Sequence, residues 1–317
     1  MEIFSSGICT IQAPCKINLH LWIGERRPDG FHELESIFAA LALGDSLWFE
    51  STAKEGGHSL SIKWEVPHNE RVEISPEKNL VSRAVSIFRE KTGFASGLRI
   101  SLVKRVPVGA GLGGGSSDAA CTLLALDALA NTDLSGKELE EMALHLGSDV
   151  PFFLKGGTAF VSGRGEHIEP LTLPRGLWIV LVKPPFFSDT AVAFRLLDRA
   201  RELDRGKFSK NKLSQKALVL ALGEDPAAWP FYNDFLPVFL EEWDDEKAHP
   251  YSYQLILESL KALGASFAGL SGAGSCCFGI FNSEKAAKLA EKNLAEKVNF
   301  VKSTFFVGHK PNPVVKY

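Results

Sequence analysis

No run of apolar residues in this 317-residue chain approaches the roughly 20 needed to cross a bilayer. The stretch from Met1 to Pro14 also lacks the charged-then-apolar order of a secretory signal. A cytoplasmic protein with no membrane partner is therefore expected. Dense basic blocks are missing too: 35 Lys and Arg residues are scattered among 38 Asp and Glu residues, for a formal net charge of −3. A nucleic-acid partner is excluded on that ground, because no phosphate-backbone footprint is present. Cysteine is sparse and odd in number, with Cys9, Cys15, Cys121, Cys276 and Cys277 showing neither C-x-x-C spacing nor a nearby His pair. That pattern argues against a disulfide framework or a zinc site and fits reduced, packed thiols. Internal repeats and low-complexity tracts are absent as well.

What remains is an ordinary globular composition, 45% apolar and 23% charged. The length exceeds what one hydrophobic core usually serves, so two lobes sharing a crevice are expected. From Ala13 to Ile23 the residues alternate, with Ile17, Leu19, Leu21 and Ile23 on one face and Lys16, Asn18, His20 and Trp22 on the other. This pattern predicts a half-buried strand. Arg27-Pro28-Asp29-Gly30 supplies turn chemistry and places Phe31 and His32 just beyond a turn.

Apolar spacing predicts a helix over residues 80–91 with Gly93 as its stop, then a strand over 98–106. A helix over 116–130 starts directly after a cluster of glycines, and a further helix over 136–146 ends at Gly147. Asp149 falls at the corner that follows. Strands are expected at 177–182, 265–270, 276–281 and 299–306, and helices near 191–203, 254–263 and 285–297. Residues 204–214 read as a polar surface loop. Strands and helices alternate without forming a regular βαβ series, so an α+β fold is expected, with a first domain at 1–165 and a second at 166–317.

The densest chemical signal is the segment Pro107, Val108, Gly109, Ala110, Gly111, Leu112, Gly113, Gly114, Gly115, Ser116, Ser117. Glycines at a helix start let backbone N–H groups curl inward while the helix dipole adds positive charge, which suits a polyphosphate. Three readings compete. A dinucleotide fingerprint matches at Gly109, Gly111 and Gly114, but Asp133, at about the right distance for the ribose acid, sits in a polar loop. A P-loop would need a lysine where Gly115-Ser116-Ser117 stands. A flexible linker would not run straight into an alanine-rich helix.

Taken in order, Ala13-Pro14-Cys15-Lys16-Ile17-Asn18-Leu19, the Pro107–Ala120 loop and Leu270-Ser271-Gly272-Ala273-Gly274-Ser275 resemble the motifs of the GHMP kinases. Asp29-Gly30-Phe31-His32-Glu33-Leu34 and Leu146-Gly147-Ser148-Asp149-Val150-Pro151-Phe152-Phe153 narrow the resemblance to the branch acting in isoprenoid precursor synthesis. It spans nearly the whole chain. Cys15 stands where the family usually has Ala, Phe31 where Tyr is common, Ala273 where Thr is frequent and Asp118 where Asn often occurs.

The resemblance implies a two-lobed GHMP kinase fold with its active site in the cleft, and transfer of the γ-phosphate of ATP to the C2 hydroxyl of a cytidine-diphosphate-linked methylerythritol. It makes Asp149 the base that accepts the hydroxyl proton and Lys16 the cation beside it. The bland alternatives are a helix N-cap for Asp149 and a solvated strand lysine for Lys16. Asn18, on the same strand face as Lys16, would converge on one ligand with it. Asn79 and Lys104 match positions that contact the adenine nucleotide. Phe31 and Phe194 match rings that sandwich the cytosine while His32 reads its polar edge, and Thr190 matches a substrate-contacting threonine. A core role in its helix is the alternative for Phe194. The loop from Ser271 to Ser275 should close beside the glycine loop. Mg2+ is expected to ride on the ATP phosphates, with no residue, Ser117 included, read as a metal ligand. Rival readings are a kinase for mevalonate, homoserine or a sugar, a catalytically silent nucleotide sensor, and a nicotinamide-dependent oxidoreductase.

Overall fold

The computed structural model describes residues 7–203, 212–242 and 253–316. Most of the expected 204–214 loop, residues 204–211, lies outside the described residues. In chain order the elements are β1 (Ile8–Arg26), β2 (His32–Glu55), β3 (His58–Trp64), α1 (Leu80–Thr92), β4 (Ser96–Lys104), α2 (Gly114–Ala130), α3 (Gly136–Leu146), α4 (Val150–Lys155), β5 (Thr158–Gly163) and β6 (His167–Leu171). They continue with β7 (Trp178–Lys183), α5 (Thr190–Leu203), α6 (Gln215–Leu222), α7 (Phe235–Glu242), α8 (Tyr253–Ala262), β8 (Phe267–Leu270), β9 (Cys277–Phe281), α9 (Glu284–Ala295), β10 (Phe300–Phe305) and β11 (Val314–Lys316).

The fold is α+β and is built on two sheets. One has seven strands, ordered β11-β1-β2-β4-β3 with β5 and β6 extending from β2, and the other has four, ordered β10-β7-β9-β8. Helices α1 to α4 cover one face of the first sheet over a core that includes Phe49, Phe88, Phe152 and Leu123. Helices α5, α7, α8 and α9 cover the outer face of the second over Val180, Phe235, Leu260 and Phe281. The inner faces of both sheets share a third core around Ile17, Ile179, Leu181 and Phe278. Alternation along β7 shows the layering directly, since Val180 and Val182 point one way while Ile179 and Leu181 point the other. The expected division at 165/166 falls between β5 and β6, which pair with each other, and β11 returns from the C-terminus to pair with β1.

Strand β1 is not half-buried. Lys16, Asn18 and His20 are as enclosed as Ile17 and Leu19, at 3%, 3% and 0% exposure. The reason lies in a register irregularity between Pro14 and Cys15. Ala13 belongs to the core beneath the helices, whereas Cys15, Ile17 and Leu19 belong to the core between the sheets. Crossing that irregularity exchanges the faces, as bulges do. Lys16 is thereby turned to the helix side, with its ammonium 4.6 Å over the Phe38 ring. All five cysteines are free and buried.

Candidate active site

The glycine loop links β4 to α2, a 17-residue helix whose N-terminal position is taken by Gly113 in the left-handed region. Gly111 shows why a side chain is not tolerated here. Its φ is 72°, and a Cβ built on it would fall 2.1 Å from the Ser271 carbonyl oxygen. That close approach lets the second glycine-containing turn lock onto the first. Ser271 Oγ donates to the Gly111 carbonyl at 2.8 Å, and the Cys276 amide donates to the Ala110 carbonyl at 3.1 Å. The Asn18 amide donates to Ser271 Oγ at 3.3 Å, and the Lys16 amide to the Leu112 carbonyl at 2.9 Å. Strand β1 and both loops therefore meet at one point.

Beside this junction lies a cavity of about 340 Å³, walled by Pro107, Val108, Gly109, Ala110, Gly111, Leu112, Gly113, Gly114, Gly115 and Ser116 together with Asn79 and Lys104. Its volume is in the range of a small-molecule site, and the start of α2 gives it the electrostatics of an anion site. Asn79 also caps α1, accepting the Val81 amide at 2.9 Å. Ser117, expected in the phosphate cradle, is instead fully buried on the inner side of α2 beside the Cys121 thiol. One residue past the cavity-lining Ser116, the helical rotation carries it away from the wall.

Lys104 does not reach freely into that cavity. Its ammonium is ion-paired to Asp45 and, at 2.8 Å, to Asp118, and all three groups are buried. Burial opposes the lysine charge, but Asp118 and Asp45 together hold its pKa above the ordinary value. Neither carboxylate was assigned to the site from the sequence. Their signal was an acidic residue inside otherwise apolar strand and helix segments, which calls for a buried cation.

At the other side of the loop, Lys16 Nζ donates to Asn18 Oδ1 at 2.7 Å and forms an ion pair with Asp149 Oδ2 at 3.3 Å. Asn18 Nδ2 passes the chain on to Ser36 Oγ at 2.9 Å. Asp149 occupies the N-cap position of α4, yet its side chain makes no capping hydrogen bond. Pro151 removes one of the donors that a cap would serve. The carboxylate is thus committed to Lys16 and not to the helix, and a third of its side chain is exposed. A sealed ammonium holding a part-exposed carboxylate can orient it toward a ligand's hydroxyl.

His32 and Phe194 come together, while Phe31 stands apart. The His32 and Phe194 rings are stacked at 4.7 Å with an interplanar angle of 22°. Phe31, 46% exposed, carries the Arg164 guanidinium 3.6 Å from its ring centroid. Asp198 Oδ1 lies 2.9 Å from His32 Nε2, on the imidazole that stacks over Phe194. Sequence reasoning missed Asp198, although it sits one helical turn beyond Phe194 on the same face of α5. Thr190 is exposed at the start of α5, one turn before Phe194.

Residues 79–157 match the family described as GHMP kinases N terminal domain, and residues 233–299 match GHMP kinases C terminal. A 4-diphosphocytidyl-2-C-methyl-D-erythritol kinase of Treponema pallidum (strain Nichols) is 36% identical over 305 residues, covering 91% of this chain and 95% of the relative. The protein of the same name from Pelotomaculum thermopropionicum is 38% identical, covering 89% and 92%. A crystal structure of 4-(cytidine 5'-diphospho)-2C-methyl-D-erythritol kinase superposes with a TM-score of 0.71 at 32% identity, covering 94% of this chain and 99% of that one. Mevalonate kinase from L. major, at a TM-score of 0.70 but 15% identity, shares the fold. The chain belongs to the 4-diphosphocytidyl-2-C-methyl-D-erythritol kinase family of the GHMP kinases.

Proposed function

We propose that this protein transfers the γ-phosphoryl group of ATP to the C2 hydroxyl of 4-diphosphocytidyl-2-C-methyl-D-erythritol. The products are the 2-phosphate and ADP, in the non-mevalonate route to isoprenoid precursors. The observation that carries this reading is the Lys16–Asp149 pair, 3.3 Å apart, with Lys16 on the strand that also binds the glycine loop through the Leu112 carbonyl. In this reading Asp149 accepts the hydroxyl proton as the oxygen attacks phosphorus. Lys16 pairs with Asp149 and counters the charge on the transferring group. Phosphoryl transfer asks for little more than such positioning and charge stabilisation.

ATP enters as its magnesium complex. The ion would ride on the phosphate oxygens with water, a donor set that suits it. The nucleotide occupies the cavity walled by the glycine loop, Asn79 and Lys104. The cytidyl group is assigned to Phe31, His32, Thr190 and Phe194, with Asn18 reaching the erythritol. Binding a base there requires the His32–Phe194 stack to open or to accept the base on its outer face. We take the cytoplasm to be the compartment.

A coupled ADP-release assay over a panel of acceptors tests the reading. Turnover should require the cytidyl substrate, and equal turnover with mevalonate, homoserine or galactose would overturn it.

A further inference from the structure

The buried cluster beneath the glycine loop carries an unbalanced charge. Lys104 supplies one positive charge, and Asp45 and Asp118 supply two negative ones if both are ionised. All three lie within the protein, at 4%, 0% and 3% exposure. Lys104 Nζ is also only 3.4 Å from where a Cβ on Gly114 would stand, directly under the first turn of α2. A polyphosphate in the adjoining cavity, which Lys104 and Asp118 help to line, would therefore meet a net negative cluster. In a buried setting such repulsion is poorly screened.

The two carboxylates are not equivalent. Asp45 Oδ1 accepts the Arg105 and Val106 amides while its Oδ2 meets Lys104, so each oxygen is satisfied in the charged form. Asp118 has Lys104 on Oδ2 and lies within hydrogen-bonding reach of the Asp45 side chain, and among the described residues its buried Oδ1 has no hydrogen-bond partner. A lone, desolvated carboxylate oxygen is the place where a proton removes the most unfavourable charge. Asp118 also contributes to the wall of the nucleotide cavity.

Among the described residues only Lys104 and Asp45 act on the Asp118 charge, and the neighbouring Arg105 guanidinium is paired with Glu65. From β4 comes Lys104, from β2 Asp45, and from α2 itself Cys121, whose thiol burial keeps protonated. Helices α3 and α4 face α2 with apolar residues such as Met142, Phe152 and Phe153. From the α1 side come the uncharged Asn79 and Leu80, with Lys78 also lining the cavity. Strand β1 sends Lys16 against Gly113, where it is engaged by Asp149.

We propose that Asp118 takes up a proton when ATP binds, so that nucleotide affinity is coupled to proton uptake and Asp118 acts as a positioning residue for Lys104. With Asp118 neutral, Lys104 and Asp45 balance. The ammonium, which has three donors and spends two on the carboxylates, then faces the nucleotide with its charge no longer outweighed. Burial first, with Asp45 adding to it and Lys104 opposing, pushes the Asp118 pKa up to about 7. Asp118 is then ionised in the free protein above that pH, and binding must restore the proton there.

This inference rests on the reading of the glycine loop as the ATP site. Its test is the calorimetric titration of the intact protein with the magnesium complex of a non-hydrolysable ATP analogue, in two buffers of different ionisation enthalpy. Wild type at about pH 8 should take up close to one more proton per nucleotide than Asp118→Asn. Its Kd should rise relative to that of the variant by up to about tenfold per pH unit above about pH 7.5. The nucleotide's own titration is common to both proteins and cancels. Equal proton uptake and parallel pH profiles would overturn the proposal while leaving the ATP site intact. Failure of folded wild type to bind any nucleotide would overturn both. Should Asp118→Asn not fold, infrared spectroscopy of wild type at about pH 8 decides the matter. A protonated-carboxyl stretch appearing on nucleotide addition supports the proposal, and its absence refutes it.

Discussion

Lys16 Nζ lies 3.3 Å from Asp149 Oδ2, and the two side chains differ sharply in exposure, 4% against 33%. The cation is sealed under the glycine loop while the carboxylate reaches the cleft. This asymmetry is the basis on which we propose that Asp149 takes the proton and Lys16 gives the electrostatic support.

Replacing Asp149 with Asn keeps the shape and removes the base. Turnover should fall by at least about 100-fold, the usual scale for a group of this kind. Nucleotide affinity should persist, because the ATP cavity is walled by other residues. Steady-state kinetics together with nucleotide titration of the folded variant checks both parts, and near-normal kcat would remove Asp149 from the mechanism.

Lys16→Ala leaves Asp149 without its cation and Asn18 Oδ1 without its 2.7 Å donor. Its kcat should drop far more than its affinity for ATP. A variant in which only the ATP dissociation constant moved would show that Lys16 serves the nucleotide and not the reacting hydroxyl.

Much of this site was legible in the chain of residues alone. The start of α2 follows from glycines running into an alanine-rich segment, and the limits of α1 and α3 follow from apolar spacing closed by Gly93 and Gly147. Alternation along β1 separated Lys16 and Asn18 from Ile17 and Leu19, but it read as half-exposed a strand that is enclosed on both faces. Polar residues signal solvent unless their partners are known, and the partners here, Asp149 and Ser271, lie far along the chain. For the same reason the second carboxylate on Lys104 and the Asp198 bond to His32 were invisible. The 24-residue β2 was not anticipated, and neither were strands β3, β5, β6 and β11 and helices α6 and α7, short elements whose structure is set by the sheets and cores they join.

Phe194 touches two environments, stacking on His32 and meeting the Phe235 ring edge-on at 5.1 Å. Phe194→Ala should therefore lower the melting temperature somewhat and also raise KM for the cytidyl substrate by roughly tenfold, the loss of about 1 to 3 kcal/mol of aromatic contact. KM for ATP should barely change. Equal effects on both substrates would mean that Phe194 only supports the core.

Gly111→Ala adds a Cβ 2.1 Å from the Ser271 carbonyl oxygen at a φ of 72°. The backbone conformation alone costs about 1 to 2 kcal/mol, and the two loops must also separate. Chemical denaturation should show a loss of at least that size, accompanied by reduced kcat/KM. A variant as stable and active as wild type would contradict the close packing of the loops.

His20 is fully enclosed, and burial pushes its pKa down to about 4. Between that value and about 6.5, the ordinary histidine value, the unfolded chain binds a proton that the folded one refuses. Acidification through this window should lower stability by about 3 kcal/mol, with no contribution above it. Asp118 and Asp234, pushed up by burial to about 7 and about 6, act in the opposite sense. The quantity to measure is thus the difference between wild type and His20→Gln across a pH series of denaturation curves. That difference should appear below about pH 6.5, and identical slopes for the two proteins would show that His20 titrates normally.

Phosphorus NMR of the enzyme with magnesium, ATP and 4-diphosphocytidyl-2-C-methyl-D-erythritol tests the central claim most directly. The account expects ADP and a single new phosphomonoester on the C2 oxygen in equal amounts, with the cytidyl diphosphate linkage intact. Phosphate on another hydroxyl, or no transfer by folded protein that binds both substrates, would contradict it.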